Sequence, residues 1–140
     1  MDAIIRRATA ADLPFLAEHD GHIAPAELDT SIRLGRVILM EVGGKPAGWL
    51  RWNLFWDNTP FMNLLYLLED FRMQGYGRAL VRYWEQQMLE QGYSHVLTST
   101  QADEPAQHFY RHLGYRDIGG FLQDGEAYEL VMTKKLGSEI

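Results

Sequence analysis

The chain contains no cysteine. A disulfide framework, a thiolate nucleophile and a thiolate metal site are therefore excluded. Lysine is nearly as scarce, with three lysines against ten arginines. Either the composition simply favours arginine, or the cationic groups suit forked, phosphate-like contacts. Excess positive charge is lacking too. The net charge of −6 argues against general binding to nucleic acid or to an anionic membrane, both of which need basic patches. No apolar run approaches the ~20 residues of a membrane span. The opening stretch, MDAIIRRATAAD, returns to charge before a signal-peptide core can form. The expected location is cytoplasmic, away from membranes. No repeat, low-complexity tract or Pro/Gly/Ser linker interrupts the sequence. One domain over residues 1–140 is expected. What remains is 46% hydrophobic and 23% charged, ordinary for a globular domain able to bury a core without staples.

The element pattern starts with a strand at AIIRRA (3–8). Thr9 opens Thr-Ala-Ala-Asp, a capping-box-like start for a short helix through Glu18. HDGHIAP (19–25) reads as a loop. Pro25 fits the first turn of a second helix and Gly35 its end. RVILMEV (36–42) and AGWLRWNLFW (47–56) form a hairpin through the turn GGKP (43–46). DNTP (57–60) turns the chain into FMNLLYLL (61–68), apolar on both faces and expected to be the most buried strand. Next comes a helix with Leu80, Val81, Trp84 and Met88 in one stripe. Arg78, Arg82, Glu85, Gln86 and Glu90 are assigned to the polar face, and Gly92 ends the helix. HVLTST (95–100) is a strand, DEPAQHFYRHLG (103–114) a helix, and YRDIGGFL (115–122) and AYELVMTKKL (127–136) closing strands. The order βααβββαβαββ predicts an α+β fold with a mixed, mostly antiparallel sheet flanked by helices.

The junction EDFRMQGYGRAL (69–80) places Gly75 and Gly77 between a strand and a helix start. Glycine weakens a helix by ~1 kcal/mol relative to alanine, so the position needs glycine for another reason. The first N–H groups of a helix lack acceptors and carry partial positive charge. Phosphate oxygens can satisfy them where no Cβ blocks the approach. Arg72 and Arg78 flank the site and can add charge-assisted bonds. The spacing Arg72-x-x-Gly75-x-Gly77 is neither a P-loop nor a dinucleotide fingerprint. Alone, it also suits a closely packed helix-start turn.

About thirty residues on, the chain reads Asp103-x-x-Ala106-x-x-Phe109-Tyr110-x-x-x-Gly114-Tyr115. Together, these two motifs resemble the GNAT superfamily of acyl-CoA-dependent N-acetyltransferases, and the similarity in element order runs over nearly the whole chain. The resemblance implies the GNAT fold and acetyl-CoA as co-substrate, with no metal. It places the cofactor pyrophosphate on the backbone of Met73, Gln74, Gly75, Tyr76, Gly77 and Arg78. It lays the pantetheine arm along Leu65, Tyr66 and Leu67 as an added strand, through main-chain contacts. Tyr110 matches the tyrosine proposed in the family as general acid, delivering a proton to the departing sulfur. Packing against Phe109 is the simpler role for Tyr110. Asp103 replaces a family asparagine near the cofactor arm and has lost its donating amide, so it serves either that arm or the helix cap. Some members carry a carboxylate where Thr98 stands, and threonine cannot act as a base. Glu69 is the preferred candidate base, with Glu104, a water chain and the amine's own free-base fraction also open.

The family's acceptor pocket uses the first two helices and the loop between them. Here Glu18, His19, Asp20 and His22 read first as a solvated loop; as acceptor contacts their acids would favour a cationic amine, and a metal is the poorest fit. Trp49, Arg51, Asn53 and Phe55 alternate on one strand face, with Trp52 and Trp56 on the other. They are expected to build the core, an acceptor slot or a dimer interface. The acceptor is a small-molecule or peptide amine, not nucleic acid, and a homodimer is compatible with the family. The absence of cysteine favours direct transfer over a covalent route. A non-catalytic acyl-CoA sensor is the alternative, and a module for another phosphorylated ligand is a third reading.

Overall fold

The computed structural model describes residues 2–137. Its elements are β1 (Ala3–Arg7), α1 (Leu13–His19), α2 (Pro25–Arg33), β2 (Val37–Val42), β3 (Lys45–Phe55), β4 (Thr59–Leu67), α3 (Tyr76–Glu90), β5 (His95–Gln101), α4 (Ala106–His112), β6 (Arg116–Phe121) and β7 (Glu129–Lys135). The expected order holds, as does the mixed, mostly antiparallel sheet flanked by helices. Strands run β1-β2-β3-β4-β5-β7-β6 across that sheet. The pair β4–β5 is parallel, whereas β1–β2, β2–β3, β5–β7 and β6–β7 are antiparallel. Two compact units divide the chain. The first holds residues up to Asn53 with Leu64–Trp84, and the second holds Leu54–Asn63 with Glu85 onward.

In the first unit, β2 and β3 join through Gly43 and Gly44, whose φ of 60° and 81° supply the left-handed pair a tight hairpin requires. Leu16, Leu28, Ile32, Val37, Leu39 and Trp49 are buried together between this hairpin and helices α1 and α2. Each such side chain contributes about 1.5–3 kcal/mol on burial. Before α1, the Thr9 N–H donates to Asp12 Oδ2 at 2.7 Å, the carboxylate half of the expected capping box. Gly48 sits where β3 and β4 press close, and a Cβ there would collide with the Leu67 side chain and the Tyr66 carbonyl.

The loop expected to be solvated hides a charge. Asp20 is buried, and so is its partner Arg51. Asp20 Oδ2 accepts from Arg51 Nε at 2.6 Å and from Trp49 Nε1 at 3.1 Å, while Oδ1 accepts from the His22 N–H at 3.1 Å. A buried carboxylate is tolerated only when paired and hydrogen-bonded in this way. Hydropathy cannot foresee the pair, because the two residues lie on different elements.

The second unit packs β5, β7 and β6 with the start of β4. The β4–β5 ladder covers only Phe61↔Leu97 and Met62↔Thr98. β4 is not the most buried strand: Met62 is buried, but Asn63 is exposed and Leu64–Leu67 are half-buried. The fully buried run is Val37–Met40 of β2 with Ala47–Trp52 of β3. The apolar run reported hydrophobicity correctly, but not where its ladder ends. Trp56 leaves the strand for a turn, with φ of 53° and 82% exposure. The helix expected over 103–114 shortens to Ala106–His112. Residues 102–105 form a turn in which Gln107 Nε2 donates to the Ala102 and Glu104 carbonyls at 2.8 and 2.9 Å. Asp103 is exposed and does not cap that helix.

Glu85, assigned to the polar face of α3, is buried. It accepts from Tyr115 Oη at 2.8 Å and from Lys134 Nζ at 2.9 Å. Its spacing already pointed inward: it lies four residues after Val81 and three before Met88, on their face.

Replacing Asp20 by Asn strands the Arg51 guanidinium in the interior. Urea denaturation is expected to show a loss of about 3–5 kcal/mol, the usual consequence of breaking one side of a buried pair.

Candidate active site

In the first unit, a single 3-10 turn over Glu69–Phe71 leads into the glycine segment. Met73 takes a left-handed φ of 63° although it has a side chain, and Gly75 takes 86°. An L-residue in that region is strained by about 1–3 kcal/mol, and such outliers gather at ligand clamps. Met73 points wholly into solvent. Gln74 closes the turn by donating from Nε2 to the Asp70 carbonyl at 3.0 Å. Among the described residues, no backbone carbonyl or side chain accepts from the N–H groups of residues 73–78. The ladder of α3 starts with the Ala79 N–H donating to the Gly75 carbonyl at 3.1 Å. A Cβ at Gly75 would meet no atom within 4 Å, so the space over it is open. Gly77 is buried in the first turn of α3. Six unpaired donors, a helix start and an open approach make a cradle for an anion.

The flanking side chains divide. Arg78 is exposed. Arg72 folds back: its Nε donates to the Leu67 carbonyl at 2.9 Å, and its guanidinium lies 5.3 Å from the Tyr66 ring centroid. It thereby pins the turn to the end of β4. Leu65, Tyr66 and Leu67 lie past the end of the β4–β5 ladder, half-buried. Glu69 is exposed, in the turn that precedes Arg72. Tyr66 also ends a column of rings that the sequence did not reveal. His19 stacks on Phe15 at 4.1 Å, Phe15 meets Trp49 edge-on at 5.9 Å, and Trp49 meets Tyr66 at 5.1 Å. The column stiffens the strand beside the turn.

The second unit holds Tyr110, in the last part of α4 and 7% exposed. Burial pushes its hydroxyl up to about 12. The neighbouring Thr98 hydroxyl works in the opposite direction, and the Glu104 charge raises it further. Thr98 is itself buried and donates to the Met62 carbonyl at 3.1 Å, at the last register of the parallel ladder. Sequence reading noticed Thr98 only as a missing carboxylate; the structure makes it the neighbour of the Tyr110 hydroxyl. Glu104 is the candidate base that this unit brings near Tyr110. Tyr110 stays protonated throughout the physiological range, as a proton donor must. Among the described residues, no three His, Asp or Glu side chains gather in a metal-holding group.

Comparison with known proteins gives a consistent result. A sequence profile described as "Acetyltransferase (GNAT) family" matches residues 5–115. No curated protein matches in sequence. Among solved structures, Ard1 from Thermoplasma volcanium is similar with a TM-score of 0.83 and 18% identity, covering 97% of this chain and 99% of that one. The ribosomal-protein-S18-alanine N-acetyltransferase from Escherichia coli gives 0.81 and 17%, covering 99% and 97%. PaiA N-acetyltransferase from Thermoplasma acidophilum, solved in complex with coenzyme A, gives 0.80 and 17%, covering 96% and 99%. At such identities the structural likeness speaks for the fold alone.

The buried phenol makes a prediction about stability. Tyr110 loses its proton near 10 in the unfolded chain and near 12 in the folded one. Its contribution is therefore intact below about pH 10 and lost as pH rises through about 12. Denaturation at pH 9, 10 and 11 is expected to show a smaller alkaline loss in Tyr110→Phe than in the wild type.

Proposed function

The chain belongs to the acetyltransferase (GNAT) family, and we propose that it transfers an acetyl group from acetyl-CoA to an amine by direct attack, with no covalent enzyme intermediate. The observation that carries this reading is the run of unpaired N–H groups at Met73–Arg78, open above Gly75. A diphosphate supplies oxygens that such a cradle lacks, and Arg78 adds a cation beside it. Leu65, Tyr66 and Leu67 offer main-chain groups to an extended amide-containing arm, in the manner of an added strand. The similar PaiA structure contains coenzyme A, which supports the same ligand class here.

In the transfer, the amine nitrogen attacks the thioester carbonyl, the carbon–sulfur bond breaks, and the acetyl group leaves on nitrogen. Tyr110 donates its phenolic proton to the departing sulfur. Its raised pKa keeps the phenol protonated at neutral pH but makes it a weaker acid than the thiol it serves, so the proton must move in concert with carbon–sulfur cleavage. The proton lost by the amine goes to Glu69 through water, with Glu104 as the competing acceptor. Direct attack fits a chain without cysteine. Acceptor recognition does not use Asp20, whose oxygens are committed to Arg51, Trp49 and the His22 N–H. The acceptor class is a small-molecule or peptide amine. An acyl-CoA sensor without turnover is the second reading. It is favoured by Thr98, which stands where some members carry a carboxylate and is committed to the Met62 carbonyl.

Coenzyme A and acetyl-CoA at 100 times Kd should stabilise the fold by about 2.7 kcal/mol and raise Tm by several degrees. Stabilisation by ATP alone overturns the cofactor assignment. Gly75→Val should abolish the shift, because a branched side chain enters the cradle at a left-handed φ. Thiol release across a panel of amines separates enzyme from sensor: tight coenzyme A binding without release on any amine selects the sensor. Tyr110→Phe should lower kcat by about 10²-fold with coenzyme A affinity retained; unchanged kcat removes Tyr110 from the reaction.

A further inference from the structure

We propose that Tyr115, anchored by the buried Glu85–Lys134 pair, is a positioning residue that holds the Tyr110 hydroxyl at its working place. This rests on the reading of Tyr110 as proton donor. The first observation concerns the end of α4. Gly114 takes a φ of 99°, its N–H donates to the Arg111 carbonyl, and the Tyr115 N–H donates to the Tyr110 carbonyl, both at 3.0 Å. That double bond pattern ends a helix by folding the residue after the glycine back over the last turn. Tyr110 is the residue it folds onto. The two rings meet edge-on at 5.6 Å between centroids.

The second observation is what holds Tyr115. Its hydroxyl donates to Glu85 Oε2 at 2.8 Å, and Lys134 Nζ donates to Glu85 Oε1 at 2.9 Å. The same ammonium lies 5.9 Å from the Tyr115 ring centroid. Glu85 and Lys134 are each 6% exposed. A buried ion pair adds little stability compared with apolar residues of the same volume. What it does fix is direction, because Lys134 occupies one carboxylate oxygen and the Tyr115 hydroxyl the other. Gly114 belongs to the same device: a Cβ there would touch Lys134 Cε at 3.4 Å, so glycine both turns the chain and leaves room for the lysine stem. The Tyr110 ring touches both Phe109, at 5.2 Å, and Tyr115, at 5.6 Å. Its hydroxyl neighbours Thr98. Small displacements of a proton donor are costly, and a shift of about 1 Å can lower a rate by about 10²-fold.

The test uses Tyr115→Phe, which keeps the ring and the helix end but removes the anchor. The expected result is a fall in kcat of roughly 10- to 100-fold with KM for acetyl-CoA unchanged. The double variant Tyr110→Phe/Tyr115→Phe should be no slower than Tyr110→Phe alone, since a positioning residue has nothing left to position. Losses that multiply, or a Tyr115→Phe enzyme of normal kcat and lowered stability, overturn the proposal. Should Tyr115→Phe fail to fold, Glu85→Leu/Lys134→Met replaces the buried pair by apolar groups and removes the carboxylate that accepts from the Tyr115 hydroxyl, with the same expectations. A readout independent of turnover separates this proposal from the function it rests on. In protein labelled at tyrosine 13Cζ, with the Tyr110 signal assigned from Tyr110→Phe, the Tyr115→Phe change should shift or broaden that signal. An unmoved Tyr110 signal overturns the positioning role even if no acceptor is found. A moved signal with no turnover on any amine sinks the transferase reading instead.

Discussion

The first N–H groups of a helix have no acceptor within the helix and carry partial positive charge. The segment from Met73 to Arg78 turns that constraint into a feature. Its six donors meet no acceptor among the described residues, and the ladder of α3 begins only at Ala79. Everything around the segment serves to keep it in that shape. Met73 is held at a left-handed φ that its side chain resists, Gln74 ties the turn to Asp70, and Arg72 ties it to the end of β4. A run of open N–H groups at a helix start is able to donate to an anion.

Among the described residues, each compact unit contains a buried ion pair, and the pairs act alike. Asp20 with Arg51 joins the loop after α1 to β3. Glu85 with Lys134 joins α3 to β7. Neither is a strong source of stability, since desolvation offsets most of the attraction. Each instead fixes a ring. Trp49 donates to Asp20 and stands in the aromatic column that ends at Tyr66, while Tyr115 donates to Glu85 and stands against Tyr110. Charge in the interior thus sets the orientation of aromatic side chains beside the residues assigned to the cofactor and to proton transfer.

Burial decides the protonation state of Tyr110. An exposed phenol would be held by nothing and would ionise at the ordinary value. The interior raises it to about 12, and Thr98 gives the hydroxyl a fixed neighbour. Thr98 is fixed in turn by the Met62 carbonyl, at the point where the parallel ladder stops. The parallel ladder thereby orients one hydroxyl beside Tyr110.

Periodicity, turn residues and helix-end signals determined the element order and nearly all boundaries. The glycine turn and the 103–115 motif carried the resemblance to the family, and the family profile matches residues 5–115. Local pattern could not place Arg51, Lys134 and Asp20 in the interior. Their burial depends on a partner from another element, and only the tertiary structure brings the partners together. The same holds for β4, whose apolar run looked fully buried but is half-covered beyond Met62. Hydrophobicity along one strand carries no information about where its neighbour's ladder ends. Glu85 was legible from its spacing to Val81 and Met88, yet its charge argued for solvent. The fold resolved that conflict by supplying Lys134 and Tyr115, so that a carboxylate could lie on an apolar face.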